Sequence, residues 1–191
     1  MHLGKVLPGR REMKLAVALV MALTLVYTGV AIAAGTFRSG GGTWGSPLTI
    51  EWLASGLGNV IVKGETLFVT AFASGMAPAL CQNHGGNIAP GQINVNVEGN
   101  SSGVAPITRN GRASGETGGI LPGFVGDPPA WYIAGCPNSG WTVVGLDATR
   151  VDWDTVFVEG ERADGSTFSM TLTCFTSVRK NGTTFGTCVK D

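Results

Sequence analysis

The sequence predicts an all-β protein, an antiparallel β-sandwich of the Greek-key or immunoglobulin-like type with about nine to ten strands. Short apolar or alternating segments recur along the chain, and turns rich in glycine, asparagine and proline separate them. Two Asn-Gly pairs, Asn110-Gly111 and Asn181-Gly182, stand between strand-like segments, which is a strong signal for β-hairpins. All four cysteines follow position 80, and their even number predicts two disulfides that staple the sandwich.

Residues 1–34 have the pattern of a secretory signal peptide. A positive n-region extends to Lys14, an uncharged and mostly apolar h-region covers residues 15–30, and Ala31-Ile32-Ala33 matches a cleavage signal. We therefore expect export, with cleavage near Ala34, and a secreted or cell-envelope location. Residues 15–34 carry no charge and are about long enough to span a bilayer, so a retained membrane anchor is the alternative.

The exported part has the size of one domain and carries a small negative charge. We expect a Gly-rich flexible lead over residues 35–46, followed by a single sandwich domain over residues 47–191. Four of the 13 basic and one of the 13 acidic residues precede residue 35, which leaves nine basic and twelve acidic residues and a net charge of −3. Basic runs and basic-aromatic patterns are lacking, so nucleic acid is not expected as a partner.

The strand prediction follows apolar character and alternation. The predicted strands are residues 48–54, 59–63, 67–74, 92–98, 102–109, 112–118, 141–145, 150–159 and 167–178, plus the second strand of the last hairpin. A short helix is the alternative for the first of these segments. Residues 120–135 contain three prolines and several glycines, so they predict a long irregular excursion.

Turn chemistry at the last hairpin predicts the disulfide pairing. If Lys180, Asn181 and Gly182 form a three-residue loop with Gly182 in the left-handed region, counting outward places Cys174 opposite Cys188. That position is a non-hydrogen-bonded pair, where side chains approach most closely. We therefore expect Cys174–Cys188 within the hairpin and Cys81–Cys136 as the long-range bridge. Zinc is disfavoured because no C-x₂-C spacing occurs, and no metal or cofactor is expected.

Residues 81–92 predict a long structured connection between two strands. Gly85 and Gly86 permit positive φ, while Asn83 and Asn87 tolerate the left-handed region and can bond their own backbone. One interpretation is a disulfide-pinned connection without chemistry. The other is a binding loop in which Asn83, His84 and Asn87 contact a ligand.

The same stretch carries a resemblance to known proteins. Its pattern, Cys81-x-Asn83-x-Gly85-Gly86-Asn87 and then Pro90-Gly91-Gln92, resembles one in secreted bacterial and fungal β-rich proteins of unassigned function. The resemblance covers about residues 56–178, including the Asn-Gly hairpin at 109–112 and the second cysteine, Cys136. It implies a small extracellular β-sandwich and no particular activity. This chain departs from the pattern in its C-terminal cysteine pair and in His84.

Two patterns raise the question of catalysis. Gly99-Asn100-Ser101-Ser102-Gly103 matches the letters of a nucleophile elbow, but no helix start follows it and His84 precedes Ser101, so a turn between strands is expected. Asp152 and Asp154 share one face of a strand. A hydrolase that pairs them with another carboxylate is the weaker alternative to a solvated acidic face. The candidate partners are Glu98, Asp127, Glu159 and Glu161.

Trp131 and Tyr132 are the candidate aromatic binding residues. They follow Pro128-Pro129 in the irregular excursion, and an exposed aromatic pair could stack on sugar rings, as in carbohydrate-binding modules. The other interpretation is that Trp131 caps the sandwich while Trp141 and Trp153 lie in the core.

These observations predict a secreted, non-enzymatic binding or structural protein of the cell surface or extracellular space. Its expected partner is an extracellular protein or a polysaccharide, with a membrane involved only if the signal segment is retained. A carbohydrate-binding module is the alternative function. Assembly by edge-strand pairing, with the Gly-rich lead as the donor strand, is also consistent with the pattern.

Overall fold

The computed structural model describes residues 35–45, 47–58 and 64–191, and within them the fold is almost entirely antiparallel β-structure. Strands make up 64% of the structure and no α-helix occurs in this part of the chain. The strands are β1 (Thr36–Trp44), β2 (Leu48–Ser55), β3 (Thr66–Asn83), β4 (Ile88–Pro106), β5 (Ala113–Glu116), β6 (Gly123–Phe124), β7 (Trp141–Leu146), β8 (Asp152–Arg162), β9 (Thr167–Val178) and β10 (Thr184–Lys190). The all-β prediction is confirmed, and the helical alternative at residues 48–54 is wrong.

Two sequence predictions fall outside the described residues. They are the signal segment over residues 1–34 and the strand over residues 59–63. Among the described residues, no helix has the length and apolar character that crossing a membrane requires.

All ten strands belong to one hydrogen-bonded sheet. The order across it is β5-β2-β1-β10-β9-β8-β3-β4-β6, and β7 pairs with the second half of β3. The sheet curls strongly into a half-barrel, so the predicted sandwich of two distinct sheets is only partly matched.

One chain segment connects the two ends of the curled sheet. β5 pairs with β2 at one end and β6 pairs with β4 at the other, although only residues 117–122 separate β5 from β6. Two glycines on β4 let this segment lie close, because a Cβ at Gly99 would meet the carbonyl oxygen of Leu121, and one at Gly103 would meet that of Glu116. The prediction of a turn at residues 99–103 is therefore wrong: these glycines permit close backbone approach within a continuous strand.

The Gly-rich lead is a central strand. β1 is hydrogen-bonded to β2 on one side and to β10 on the other, so the prediction of a flexible lead over residues 35–46 is wrong. Its glycines serve packing, because a Cβ at Gly40 would collide with the side chain of Met170 and one at Gly42 with that of Ile50. Since both edges of β1 are paired, the suggestion that this segment donates a strand to another molecule is also wrong.

The predicted long connection over residues 81–92 is the tip of a hairpin. β3 and β4 pair along nearly their whole length, and only residues 84–87 turn between them. Asn83 Oδ1 accepts hydrogen bonds from the amides of Gly85 (2.9 Å) and Asn87 (3.0 Å), which fixes the turn. Pro78, which lacks an amide hydrogen, sits beside a β-bulge in this long hairpin.

Both predicted disulfides are formed. In the last hairpin the amide of Arg179 donates to the carbonyl of Thr183 (2.9 Å), Gly182 has φ +82°, and Cys174 faces Cys188. The second bridge joins Cys81 at the end of β3 to Cys136 in the irregular excursion, with their Cα atoms 5.8 Å apart.

Alternation along the strands divides the side chains between a core and an outer face. Core-facing residues include small side chains on β3, such as Ala71 and Ala73, and large ones on β2 and β8, such as Trp52 and Trp153. The core assignment of Trp153 is confirmed, whereas Trp141 is half-buried and packs against the core from its margin.

Candidate ligand-binding groove

The outer face of β3, β4 and β8 carries apolar side chains that the core does not use. Phe72 on β3 lies opposite Phe157 on β8, and both rings are nearly half exposed, at 45% and 43%. In the next outward-facing row, Ser74 lies between Glu98 of β4 and Thr155 of β8. The sheet therefore presents an aromatic pair beside a polar row.

Three cavities over this face share lining residues and form one groove. A cavity of about 490 Å³ around Phe72 and Phe157 shares Ser74 and Glu98 with a cavity of about 510 Å³. That second cavity shares Asn96 and Val125 with a third of about 320 Å³. We call the combined feature the outer groove. Its apolar side chains, each about half exposed, are Phe72, Met76, Ile93, Val125, Ile133 and Phe157.

A β-bulge shapes the floor of the outer groove. The register between β3 and β8 shifts at Ser74 and Gly75, so Asp154 has no partner on β3. Gly75 makes the close strand approach possible, because a Cβ there would meet the carbonyl oxygen of Asp152. The bulge thus brings the acidic residues of β8 to the groove.

The irregular excursion forms one wall of the outer groove and is tied along the edge of β4. The amides of Gln92 and Ile93 donate to the carbonyls of Gly135 (3.1 Å) and Ala134 (3.3 Å). Further along, Val97 and Glu98 pair with β6, and the Cys81–Cys136 bridge fixes the end of the excursion to β3. These contacts hold the wall, and they also cover the edge of β4 that would otherwise be open to strand pairing.

The outer groove is acidic. Four exposed carboxylates line it, and among the described residues none of its lining side chains is basic. The carboxylates are Glu98, Asp127, Asp152 and Asp154. Within the described part of the chain, the ion pairs join Arg150 to Asp147 and Arg162 to Glu65 and Asp164, and none involves a groove carboxylate. The groove therefore combines apolar surface with uncompensated negative charge.

The residues predicted at the hairpin tip do not line the outer groove. Asn83 uses its side-chain oxygen to hold the turn, and His84 is exposed at its tip. Among the described cavities, neither these two residues nor Asn87 contributes to the lining of the groove. The structural role of Asn83 matches the interpretation of a disulfide-pinned connection.

Trp131 and Tyr132 do not form a flat stacking platform. Their ring centroids are 5.8 Å apart and the rings are nearly perpendicular, at 86°. Tyr132 is 63% exposed, whereas Trp131 is half-buried and packs against the core. Trp131 therefore has the predicted capping position.

The structure separates Ser101 from His84 but brings several of the candidate carboxylates together. Ser101 lies within β4, thirteen residues from the start of that strand and hence tens of ångströms from His84 at the hairpin tip, too far for a hydrogen bond. Glu98, Asp152 and Asp154 do line one cavity, and Asp127 lines the next. Glu159 and Glu161 instead lie opposite Thr70 and Phe68.

The chemistry of the groove lies in its exposed carboxylates and its half-exposed apolar side chains. All four groove carboxylates are exposed and therefore accessible to a ligand. Among the described residues, no group of three histidine, cysteine, aspartate or glutamate side chains is placed to hold a metal ion. What the groove offers a ligand is apolar contact flanked by negative charge.

Sequence reasoning missed the apolar part of the outer groove. Phe72, Met76 and Phe157 lie in strongly apolar strands, a composition that is also typical of strands covered on both faces. The available signal was the presence of large apolar residues at both parities of β3, such as Phe68 next to Val69.

No protein-family model, curated protein or solved structure matches this chain.

Proposed function

We propose that this protein is a secreted, non-enzymatic binding or structural protein of the cell surface or extracellular space, and that the outer groove is its binding surface. The observation that carries the proposal is the groove itself, in which six half-exposed apolar side chains adjoin four carboxylates, and no basic side chain of the described residues joins the lining. Contiguous exposed apolar patches on soluble domains commonly mark interaction sites.

The disulfides support the location. All four cysteines are paired, and such bridges persist in oxidising compartments. The signal-peptide pattern of residues 1–34 gives the route of export. Together they favour a protein that works outside the cytoplasm, as the resemblance of the Cys81–Gln92 stretch also implies.

A carbohydrate-binding module is the second candidate, favoured by one observation. Phe72 and Phe157 are neighbours across two strands, and Asn100 and Thr155 line the same cavity. Aromatic faces beside amide and hydroxyl groups suit a sugar ring, which has an apolar face and a polar rim. In this candidate the sugar binds at the Phe pair rather than at Trp131 and Tyr132.

Site-specific photocrosslinking in the producing cell tests the proposal, because it captures whichever molecule occupies the groove. A photoreactive benzoyl-phenylalanine replaces Phe157 in the groove, and in a matched control it replaces Leu53, an exposed residue of β2 outside the groove. We expect an adduct from position 157 and none from position 53. An adduct from neither position, or equal adducts from both, would overturn the groove as the binding surface.

The mass of the adduct separates the candidates. A polysaccharide adduct at position 157 supports the carbohydrate-binding candidate, and a protein adduct supports the first. Intact mass of the exported protein tests the location in the same preparation: we expect a start at Ala34 or Gly35, whereas an uncleaved N-terminus would contradict secretion.

A further inference from the structure

The β9–β10 hairpin presents a second apolar surface, of opposite charge. Phe175 and Phe185 are exposed on its outer side, at 59% and 38%. Arg179 and Lys180 lie at its turn, and the guanidinium carbon of Arg179 is 5.1 Å from the centre of the Phe185 ring. We call this surface the basic hairpin face.

A third cation lies at the turn of this hairpin. Arg150 reaches the turn, since a Cβ at Gly182 would lie 3.2 Å from its Nη2 atom. Its Nε atom is 3.4 Å from a carboxylate oxygen of Asp147. Among the described residues, Arg179, Lys180 and Arg150, with Asp147 paired to Arg150, leave the turn of this hairpin positive.

The outer groove and the basic hairpin face complement each other in chemistry. In the part of the chain that the structure describes, the groove has apolar side chains and four carboxylates without cations, while the hairpin has apolar side chains and cations at its turn. Opposite charges around apolar contacts steer association and fix its register. The chain thus carries on its own surface the kind of partner that its groove requires.

We propose that the outer groove binds the basic hairpin face of a second copy of this chain. The proposal rests on the groove being the binding surface and names the partner. β8 pairs with β9 and β9 with β10, and Thr155 of the groove lies opposite Thr173, which is two residues from Phe175 and therefore on the same face. The two surfaces therefore adjoin on one outer side of the sheet, and a two-fold dimer satisfies both contacts at once.

Salt dependence follows from the charges. The distance over which salt screens the interaction between exposed charges is about 10 Å at 0.1 M salt and about 3 Å at 1 M. The association constant of the wild type therefore falls as salt is added, whereas association through apolar contact alone would be insensitive to salt or strengthened by it.

Charge reversal with mixing is the test, with molar mass measured by light scattering after size-exclusion chromatography at low salt. The hairpin variant is Arg179→Glu/Lys180→Glu, and the groove variant is Asp152→Lys/Asp154→Lys; all four positions are exposed. Arg109→Glu/Arg112→Glu is the matched control, because it makes the same charge change as the hairpin variant on exposed residues of another Asn-Gly turn, between β4 and β5, which pair with other strands.

We expect the wild type and the control to form a dimer or a larger assembly, and each of the other two variants to be monomeric. Mixed in equal amounts, those two variants recover the wild-type mass, because each supplies the charge that the other surface requires. Recovery on mixing also shows that both variants are folded.

Two results would overturn the proposal. One is a wild type that stays monomeric at every concentration; the other is a mixture that stays monomeric although the wild type associates. If the wild type is monomeric but position 157 still crosslinks to another molecule, the groove remains the binding surface and only the second copy is excluded. If neither association nor crosslinking occurs, both proposals fail.

Discussion

Removal of each disulfide separately gives a quantitative test of the fold. Cys174 and Cys188 are 14 residues apart, and Cys81 and Cys136 are 55 apart. The entropy of closing loops of about 15 and about 56 residues in the unfolded chain corresponds to about 3.0 and about 4.2 kcal/mol at 25 °C. Because the two loops are separate in sequence, we expect the two effects to add. The long bridge should contribute about 1.2 kcal/mol more than the hairpin bridge.

The assay is urea unfolding of Cys174→Ala/Cys188→Ala, Cys81→Ala/Cys136→Ala and the wild type, followed by tryptophan fluorescence. The structure adds a local effect. The hairpin keeps its own ladder of backbone hydrogen bonds, whereas the excursion around residues 130–136 holds to β4 by few. Loss of the long bridge should therefore accelerate amide exchange there, in the groove wall, while loss of the hairpin bridge should leave hairpin exchange little changed.

The two double variants are compared by how much unfolding free energy each one loses. A larger loss for Cys174→Ala/Cys188→Ala than for the long bridge would refute the loop-entropy argument. Unchanged amide exchange at residues 130–136 in Cys81→Ala/Cys136→Ala would refute the view that this bridge holds the groove wall.

Three further predictions concern close approach, a partly buried ion pair and acid stability. In urea titrations, Gly103→Ala should lower the unfolding free energy by about 1–3 kcal/mol, because the added Cβ meets the carbonyl of Glu116. The control Gly45→Ala, with open space around it, should change the unfolding free energy by less than about 0.5 kcal/mol. Arg162→Gln removes two hydrogen bonds to Glu65 Oε1, of 3.1 and 2.7 Å. It should lower the unfolding free energy by about 1.5–3 kcal/mol in the same assay. The control Arg109→Gln, at an exposed turn, should not show this loss. Hydrogen bonds from the Ser166 hydroxyl and amide hold the pKa of Asp164 below its ordinary value. The ionised carboxylate therefore contributes its full stabilisation of the fold at a pH above the ordinary pKa, and this contribution is lost as the pH falls through the lowered pKa. Between about pH 5 and pH 2 the wild type should therefore lose more unfolding free energy than Asp164→Asn, and equal losses would contradict the role of Asp164.

The last hairpin shows what local chemistry can predict. A three-residue loop requires a left-handed residue at its last position, and Gly182 supplies it. The loop length fixes the register of the hairpin, and the register places Cys174 opposite Cys188. Each step involves neighbours in sequence. The second bridge then follows because two cysteines remain.

Long-range pairing explains what the sequence did not predict. Glycines such as Gly40 and Gly99 look like sites of flexibility, yet their role depends on side chains and carbonyls from distant segments that come to lie against them. The outer groove is a stronger case. Phe72 and Phe157 are 85 positions apart, and only the sheet register makes them neighbours on a face that no other strand of the described residues covers.

We expect Phe72, Met76 and Phe157 to face an open groove in a single copy and to become covered in the assembly. Hydroxyl-radical oxidation of the purified protein, read by mass spectrometry in dilute and concentrated samples, tests it most directly. Met170 and Phe37, which are buried, serve as internal controls. We predict that the three groove residues are oxidised readily in the dilute sample and are protected in the concentrated one. Protection already in the dilute sample would contradict the outer position of these residues, and equal oxidation at both concentrations would contradict the groove as the surface of association.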